Sequence, residues 1–547
     1  MPERLSQNQA TPGAPSDQSD VVGFLANPAS YRGVQRVDRF ETHGNLVFVT
    51  DDEAYKIKRA VRFDYMDFST LEKRRSACFR EVELNRQWAP ELYLGCVPIT
   101  RDSNGALAFG GQGAVVEWAV RMRRFDQADL LSARAANDQL DTNLVIQLAY
   151  AVHASHQAAD RAMCTSGVDV FKVLSRSISE ALKNSRHFNT AETDQLDAGL
   201  ARELSRAATV LDERAREGFV RRCHGDLHLA NIVMWHGRPV LYDALEFDEA
   251  LATIDTLYDL AFLLMDLEVR NLKTAANIIL NRYLWRSGEK ADLRGLVCLP
   301  LFLALRAAIR ARVSIDRAEQ EQSSARTKDL DIARFYFEAA LRYLRPREPQ
   351  LVVVGGLSGS GKTTVAADLA PLIGNPPGAV HLRSDLERKA MAGVAEFDRL
   401  DPASYTAEAH RRAYGVLHQK AKLILNAHHS VIIDAVYDHE SDRHEAEALA
   451  LALGRRFQGI WLRADAHVLL SRVAARHHDA SDATPDVVRT QLNLQIGELS
   501  ERWMPLDASR STGQTLHAAK EALDVCVSGN ETGANSGQSP DGIDEGQ

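Results

Sequence analysis

Two clusters of residues in this chain have the types and spacing for phosphate chemistry. The first is His224-Gly225-Asp226 with Asn231 and Asp243; the second is Gly356-Leu357-Ser358-Gly359-Ser360-Gly361-Lys362-Thr363. In the first, Asp226 on a loop is placed to accept a hydroxyl proton, and Asn231 offers a neutral oxygen to a magnesium ion. The run Ile232 to Trp235, the His236-Gly237 turn and Pro239 to Tyr242 read as a hairpin that delivers Asp243, a carboxylate suited to bridging phosphates through Mg²⁺. Such a His-Gly-Asp with Asn at that offset arises by chance in a chain of this length with a probability of roughly 0.002.

The second cluster has the Walker A spacing. Glycines 356, 359 and 361 let successive backbone N–H groups, those of Ser358, Ser360 and Thr364 among them, curl around a phosphate at a helix N-terminus. Lys362 then reaches the β and γ oxygens, and the Thr363 hydroxyl ligates Mg²⁺. Its context fits: the apolar run Leu351 to Val354 is a buried strand, and Thr364 to Leu372 is helical. Asp434 closes the candidate strand Val431–Ile433, where a carboxylate helps to hold the water shell of the metal.

The elements that must position these residues fall into two sets. Asn45 to Thr50 and Glu53 to Lys58 alternate as a hairpin, a helix rich in Glu, Arg and Leu spans Leu71 to Trp88, and a helical region runs from Asp138 to Glu217. Short strands and turns then extend from Val220 through Phe247, and helices return to Leu344. Arg345 to Gln350, with two prolines, ends this set. Beyond it, Val380–Leu382, Val431–Ile433 and Phe457–Leu462 are candidate strands alternating with helices, the pattern of a parallel sheet. The expected organisation is a disordered N-terminus (1–20), a first domain (21–346), a second domain (347–527) and a disordered tail (528–547).

The segment Cys223 to Phe247 resembles the Brenner motif and metal-binding Asp of the aminoglycoside phosphotransferase family, which has the bilobal α+β protein-kinase-like fold. In that family a lysine on the third strand holds the α and β phosphates and pairs with a helix Glu. Ala54-Tyr55-Lys56-Ile57-Lys58 supplies two candidates, Lys56 preferred and Lys58 second, which share one strand face. Glu81 is the preferred partner, with Glu83 on a different face as rival. The resemblance further implies that Val115–Val120 enters the adenine-binding hinge, that Asp259 braces the catalytic loop and that His228 orients it. The glycine-rich loop of protein kinases is represented only by Thr42-His43-Gly44-Asn45.

The second domain resembles P-loop kinases of the zeta-toxin, gluconate and polynucleotide kinase type, on an α/β P-loop NTPase fold with a parallel sheet. That resemblance implies Asp385 as the base for the acceptor hydroxyl and Arg388 as a substrate ligand. Arg472 and Arg476 would be lid arginines that stabilise transition-state charge, with Arg443 a weaker candidate.

The chain has 547 residues, more than one hydrophobic core usually supports. A formal net charge of -9 gives no footprint for a long nucleic-acid duplex. The six cysteines are scattered, without the spacing of a metal or redox motif, the N-terminus lacks an apolar leader, and no run suits a bilayer, so a cytoplasmic location is expected. The expected activity is γ-phosphoryl transfer from ATP, with Mg²⁺, to small-molecule hydroxyl acceptors at two separate sites. The alternatives are a regulatory ATP-binding protein with one inactive kinase-like domain, and a polynucleotide 5'-hydroxyl kinase in the second domain. For a cationic acceptor at the first site, the acids of Leu245-Glu246-Phe247-Asp248-Glu249 are candidate pocket residues.

Overall fold

The computed structural model describes residues 17–42, 44–63, 66–163, 166–320, 324–475 and 481–523. Arg476 lies outside them, as do the tail and all but the end of the N-terminal segment. Residues 17–20 are ordered rather than disordered: a helix begins at Ser19, and the Gln18 amide donates to Lys58 O (2.9 Å) and Glu117 Oε2 (2.7 Å). Those side-chain bonds are invisible in a composition that otherwise reads as unstructured.

The first region has two lobes. Its N-lobe is a mixed-length antiparallel sheet of six strands in which Asn45–Val49, Glu53–Lys58 and Ala114–Arg123 lie side by side, with the helix Leu71–Asn85 packed on it. Val47 pairs with Lys56 and Lys56 with Val120, so the lysine strand is central. Strand alternation works as expected: Phe48, Tyr55 and Ile57 enter one core, while Lys56 and Lys58 face the helix and the second lobe.

The C-lobe is helical. The expected helical region resolves into three helices, Thr142–Ala158, Val168–Ser185 and Thr190–Arg216, and the last starts with a capping box at Asn189 and Glu192. The hairpin Ile232–Trp235 with Arg238–Leu241 forms as read, and His236 and Gly237 both take positive φ, the twist-matched two-residue turn. The helices Thr256–Val269 and Leu299–Gln320 form the centre of the lobe.

The second region carries five parallel strands in the order Val380–Arg383, Val431–Asp434, Gln350–Gly356, Arg456–Arg463, Trp503–Asp507. The first four were legible; Trp503–Asp507 was not, because Pro505 and the exposed Met504 break the apolar run that marks a buried strand. The Walker strand is central and fully apolar from Leu351 to Val354, as a strand covered on both faces must be. Helix Ser324–Tyr343 ends just before the proline-containing connection to this strand. One hydrophobic cluster nevertheless runs from the C-lobe helices into the P-loop sheet, through residues such as Leu284, Leu293, Val380 and Leu382. No helix among the described residues is long and apolar enough to cross a membrane.

Candidate active sites

The first site lies between the lobes. Gly225 has φ +85, and a Cβ there would come within 3.1 Å of both Leu245 and Ala252, so the loop requires glycine. Asp259, fully buried, accepts from the backbone N–H of His224 (3.2 Å) and Gly225 (2.8 Å), with His156 Nε2 at 3.1 Å. The bracing carboxylate expected at Asp259 is therefore in place. His224 donates from Nε2 to Tyr242 O (2.9 Å) and accepts at Nδ1 from Asp226 N (3.3 Å), which ties the loop to the hairpin; burial lowers its pKa and keeps it neutral.

Asp226 and Asn231 meet: the Asn231 amide donates to Asp226 Oδ2 and to Asp226 O, both at 2.9 Å. Burial works against the Asp226 carboxylate, but the charges of His228 and Arg310 outweigh it and hold its pKa well below the usual range. His228 Nε2 stands 3.4 Å from Asp226 Oδ2, the orienting contact expected of it. Asp243 takes a left-handed conformation, φ 59, which L residues adopt at a cost of about 1–3 kcal/mol. Its backbone N–H donates to Tyr93 OH (3.1 Å), and Asn85 Oδ1 holds the next N–H, that of Ala244 (2.9 Å).

The two lysines separate by depth. Lys56 Nζ lies 2.5 Å from Asp243 Oδ1 and 3.1 Å from Glu81 Oε1; Lys58 Nζ bonds Glu81 Oε2 (2.6 Å) and Glu246. Lys56 reaches the open interlobe space, whereas Lys58 is sealed beneath it. Glu81, 0% exposed, joins both, and the lysine charges outweigh burial to lower its pKa to about 2. Glu83 is exposed and pairs with Arg80, which removes it as a rival. A cavity of about 70 Å³ beside this cluster is walled by Val47, Ala54, Met122, Phe125 and Tyr242, an apolar slot with Lys56 and Asp243 at one end. The segment Val115–Val120 lies within the strand Ala114–Arg123, which leads into Arg124–Phe125 at the wall of this cavity.

Glu246 and Glu249 line a cavity of about 1070 Å³ in which Asp67 and Glu72 are matched by Arg62, Lys73 and Arg80. Glu246 is neutralised by Lys58, Asp248 caps the helix Glu249–Ala252 through Ala250 N and Leu251 N, and Glu249 pairs with Arg80 and Arg222. Glu246 and Glu249 are committed to cations that sequence distance hid, whereas the Asp248 cap is local.

The second site assembles around the P-loop. Gly359 has φ +88, and a Cβ there would lie 2.6 Å from Leu469 O; Gly361, at φ +90, caps the helix Lys362–Leu369. The Ser360 hydroxyl is buried without a hydrogen-bond partner, as fits a cradle shaped for a phosphate. Thr363 Oγ1 donates to Asp434 Oδ2 (2.6 Å), so the two oxygen donors predicted for the metal sit together, a set that suits a hard cation such as Mg²⁺. Burial raises the pKa of Asp434, but His381, Lys362 and Arg383 bring it down to about 2. Asp385, at the start of helix Ser384–Ala392, has its pKa raised, first by burial and then by Asp434. Thr364 lines, with Thr363, Arg472, Thr512 and the three residues Gly359–Gly361, a cavity of about 330 Å³ against the loop.

The arginines divide differently from expectation. Arg388 donates to Ser404 O (3.1 Å) and stacks over Tyr405 at 5.6 Å. Arg472 donates to Ala508 O (2.9 Å) and Arg510 O (3.3 Å), so it shapes the wall of that cavity in addition to facing it. Arg443 is 1% exposed and spends its guanidinium on the carbonyls of Tyr437, Ile496 and Glu498; it is structural. One residue escaped the sequence reading: Gln491 Oε1 accepts from Ser358 N at 2.8 Å. It lies on the helix Pro485–Leu492, with no local spacing to mark it.

The family model described as an AAA domain matches residues 351–499. A solved aminoglycoside 2'-phosphotransferase-IIIa, in complex with GDP, is 12% identical, covering 59% of this chain and 99% of that one at a TM-score of 0.36. A sugar kinase from Janibacter sp. HTCC2649 is 23% identical over 32% of this chain and 96% of that one, at 0.26. Uncharacterized protein Rv2004c of Mycobacterium tuberculosis and Uncharacterized protein Mb2027c of Mycobacterium bovis are each 30% identical over 507 residues, 89% of this chain and 96% of theirs. The chain belongs to the family of these mycobacterial proteins.

Proposed function

We propose that the chain is an ATP-dependent phosphotransferase with two phosphoryl-transfer sites, each acting on a small hydroxyl compound. The observation that carries this reading is the convergence, at each site, of a phosphate-holding lysine, a pair of oxygen donors for magnesium and a carboxylate base. At the first site these are Lys56, Asn231 with Asp243, and Asp226; at the second, Lys362, Thr363 with Asp434, and Asp385. The Lys56–Glu81 pair and the Lys56–Asp243 contact are already formed, and this supports turnover at the first site over nucleotide binding alone.

Magnesium, bound with the nucleotide, supplies neutralisation of the phosphate oxygens. The residues of the chain do the rest. At the first site Lys56 orients the phosphates and Asp226, ionised across the neutral range, accepts the proton of the acceptor hydroxyl. At the second, the backbone amides of the P-loop and Lys362 hold the phosphates, and Asp385 takes the proton; its raised pKa makes it the stronger base of the two. Arg388 would hold the acceptor once released from Ser404 O. Catalysis by such groups is mainly positioning and charge stabilisation.

The test is transfer of labelled γ-phosphate into a metabolite extract by wild type, Asp226→Asn and Lys362→Ala. Each variant should lose a different labelled product. Identical product patterns in all three proteins would overturn the reading.

A further inference from the structure

The helix Lys273–Ser287 belongs to the kinase-like domain, yet one face of it lies on the P-loop sheet. Strand Val380–Arg383 is the edge of that sheet and has a strand partner, Val431–Asp434, on one side only. A buried sheet edge leaves N–H and C=O groups that must find other partners. Asn281 supplies them: its Oδ1 accepts from His381 N at 2.6 Å, and its Nδ2 lies 3.4 Å from Ala379 O. Asn277 Nδ2 donates to Ala379 O and Pro377 O, both at 3.0 Å, and Asn281 Nδ2 donates to Asn277 Oδ1 at 3.0 Å. A carboxamide carries the same donor and acceptor as a peptide group. The two asparagines, one helical turn apart, therefore stand where a sixth strand would pair.

A second anchor lies one residue on. Arg282 pairs with Glu396 at 2.8 Å, both largely buried, and Tyr150 OH is 3.4 Å from the same carboxylate. Glu396 sits on the connection that follows helix Ser384–Ala392, the helix of Asp385 and Arg388. The clamped strand is itself close to the metal donors: His381 Nε2 is 3.8 Å and Arg383 Nε 3.9 Å from Asp434 Oδ2. A cavity of about 160 Å³ has Asn281, Arg282 and Trp285 on one wall and Thr363 and Arg383 on the other.

We propose that the kinase-like domain is part of the P-loop machinery, with Asn281 and Arg282 as positioning residues for Asp434 and for the acceptor-side helix. The inference rests on the reading of the P-loop as a phosphoryl-transfer site. Asn281 fixes the height of strand Val380–Arg383, and with it His381 and Arg383 against the carboxylate that holds Thr363. A displacement of about 1 Å at a reacting centre costs about 100-fold in rate, so a partial slip of this strand should cost about tenfold.

The experiment uses the full chain carrying Asp226→Asn, so that ATP consumption reports the P-loop site. Adding N281L should lower kcat about tenfold and raise the Mg²⁺ concentration for half-maximal rate by a similar factor, while N281Q, which keeps the amide, recovers most of both. N281S serves where N281L yields no folded protein. Values of kcat and Mg²⁺ half-saturation within twofold of the parent overturn the inference, as does a lowered melting temperature with the Mg²⁺ dependence unmoved, because that is the signature of a purely structural contact. Lys362→Ala in the same background separates the two levels. If it leaves ATP consumption intact, the P-loop reading falls and takes the inference with it; if it abolishes consumption while N281L is normal, the inference alone falls.

Discussion

The two sites reach similar chemistry by opposite constructions. The kinase-like site is assembled from side chains drawn from distant elements and locked in a buried ion cluster: Lys56, Lys58, Glu81, Asp243 and Glu246. The P-loop site is assembled mainly from consecutive backbone groups, with a single short side-chain contact between its metal donors, Thr363 and Asp434. A side-chain cluster is expensive to disturb because each member left alone is a buried charge. A backbone cradle holds its shape through glycine dihedrals and strand position, and the phosphates it addresses come with the nucleotide. The first site should therefore couple activity to stability, and the second should not.

The largest expected effect is loss of turnover at either site. Asp226→Asn and Lys362→Ala should each reduce transfer to one acceptor by a factor of roughly 100 or more, read by the two labelled products. The comparison is sharpened by stability. Lys58→Met leaves Glu81 and Glu246 buried with one cation fewer, and breaking such a pair costs about 3–5 kcal/mol. Thr363→Ala removes one hydrogen bond, worth about 1 kcal/mol. Urea unfolding should show a large loss for Lys58→Met and a small one for Thr363→Ala, although only Thr363→Ala touches a magnesium donor. Equal losses would break the distinction drawn above.

A third effect falls on pH dependence in the P-loop half. His429 is 1% exposed, donates from Nε2 to Gly378 O (2.8 Å), and has its pKa lowered by burial from 6.5 to about 4. A depressed histidine pKa means that the unfolded chain takes up the proton first. The contribution is complete above pH 6.5 and is lost as pH falls toward 4, a span worth about 3 kcal/mol. The urea midpoint of wild type should fall between pH 7 and pH 4.5, and His429→Gln should flatten that fall, while Glu81, its carboxyl near 2, keeps its charge throughout.

How much of this was legible in the sequence follows from the same contrast. The P-loop is contiguous, so residue types, glycine spacing and the preceding apolar strand identify it without knowledge of any distant contact. The catalytic loop and Asp243 are nearly as local, joined by one hairpin. Lys56 and Lys58 were not separable, because strand alternation puts both on one face; only the third dimension shows that Lys56 meets Asp243 and Lys58 lies beneath it. Glu246 and Glu249 read as a free acidic patch because their cations, Lys58, Arg80 and Arg222, are remote in sequence. Asn277 and Asn281 look like ordinary polar positions on a helix, and nothing in their spacing tells of the strand edge they cover.

Gln491 is the residue on which the comparison can be refined most finely. It is the one side chain described as reaching the P-loop backbone at Ser358, and it comes from the helix Pro485–Leu492, which follows the segment where the lid was expected. Its Oε1 occupies the Ser358 N–H, a donor in the loop that the phosphates would otherwise address. The amide therefore holds the loop in its curled form before the nucleotide binds. Gln491→Ala should release that hold without leaving a buried charge, so stability should change by about 1 kcal/mol or less. Affinity should move more: an unrestrained loop must be ordered on binding, which predicts a KM for ATP at the second site raised about three- to tenfold, with little change at the first. Steady-state kinetics against each acceptor would measure this. A raised KM at both sites would mean that Gln491 acts through the interface between the domains, and an unchanged KM would mean that glycine geometry alone sets the cradle.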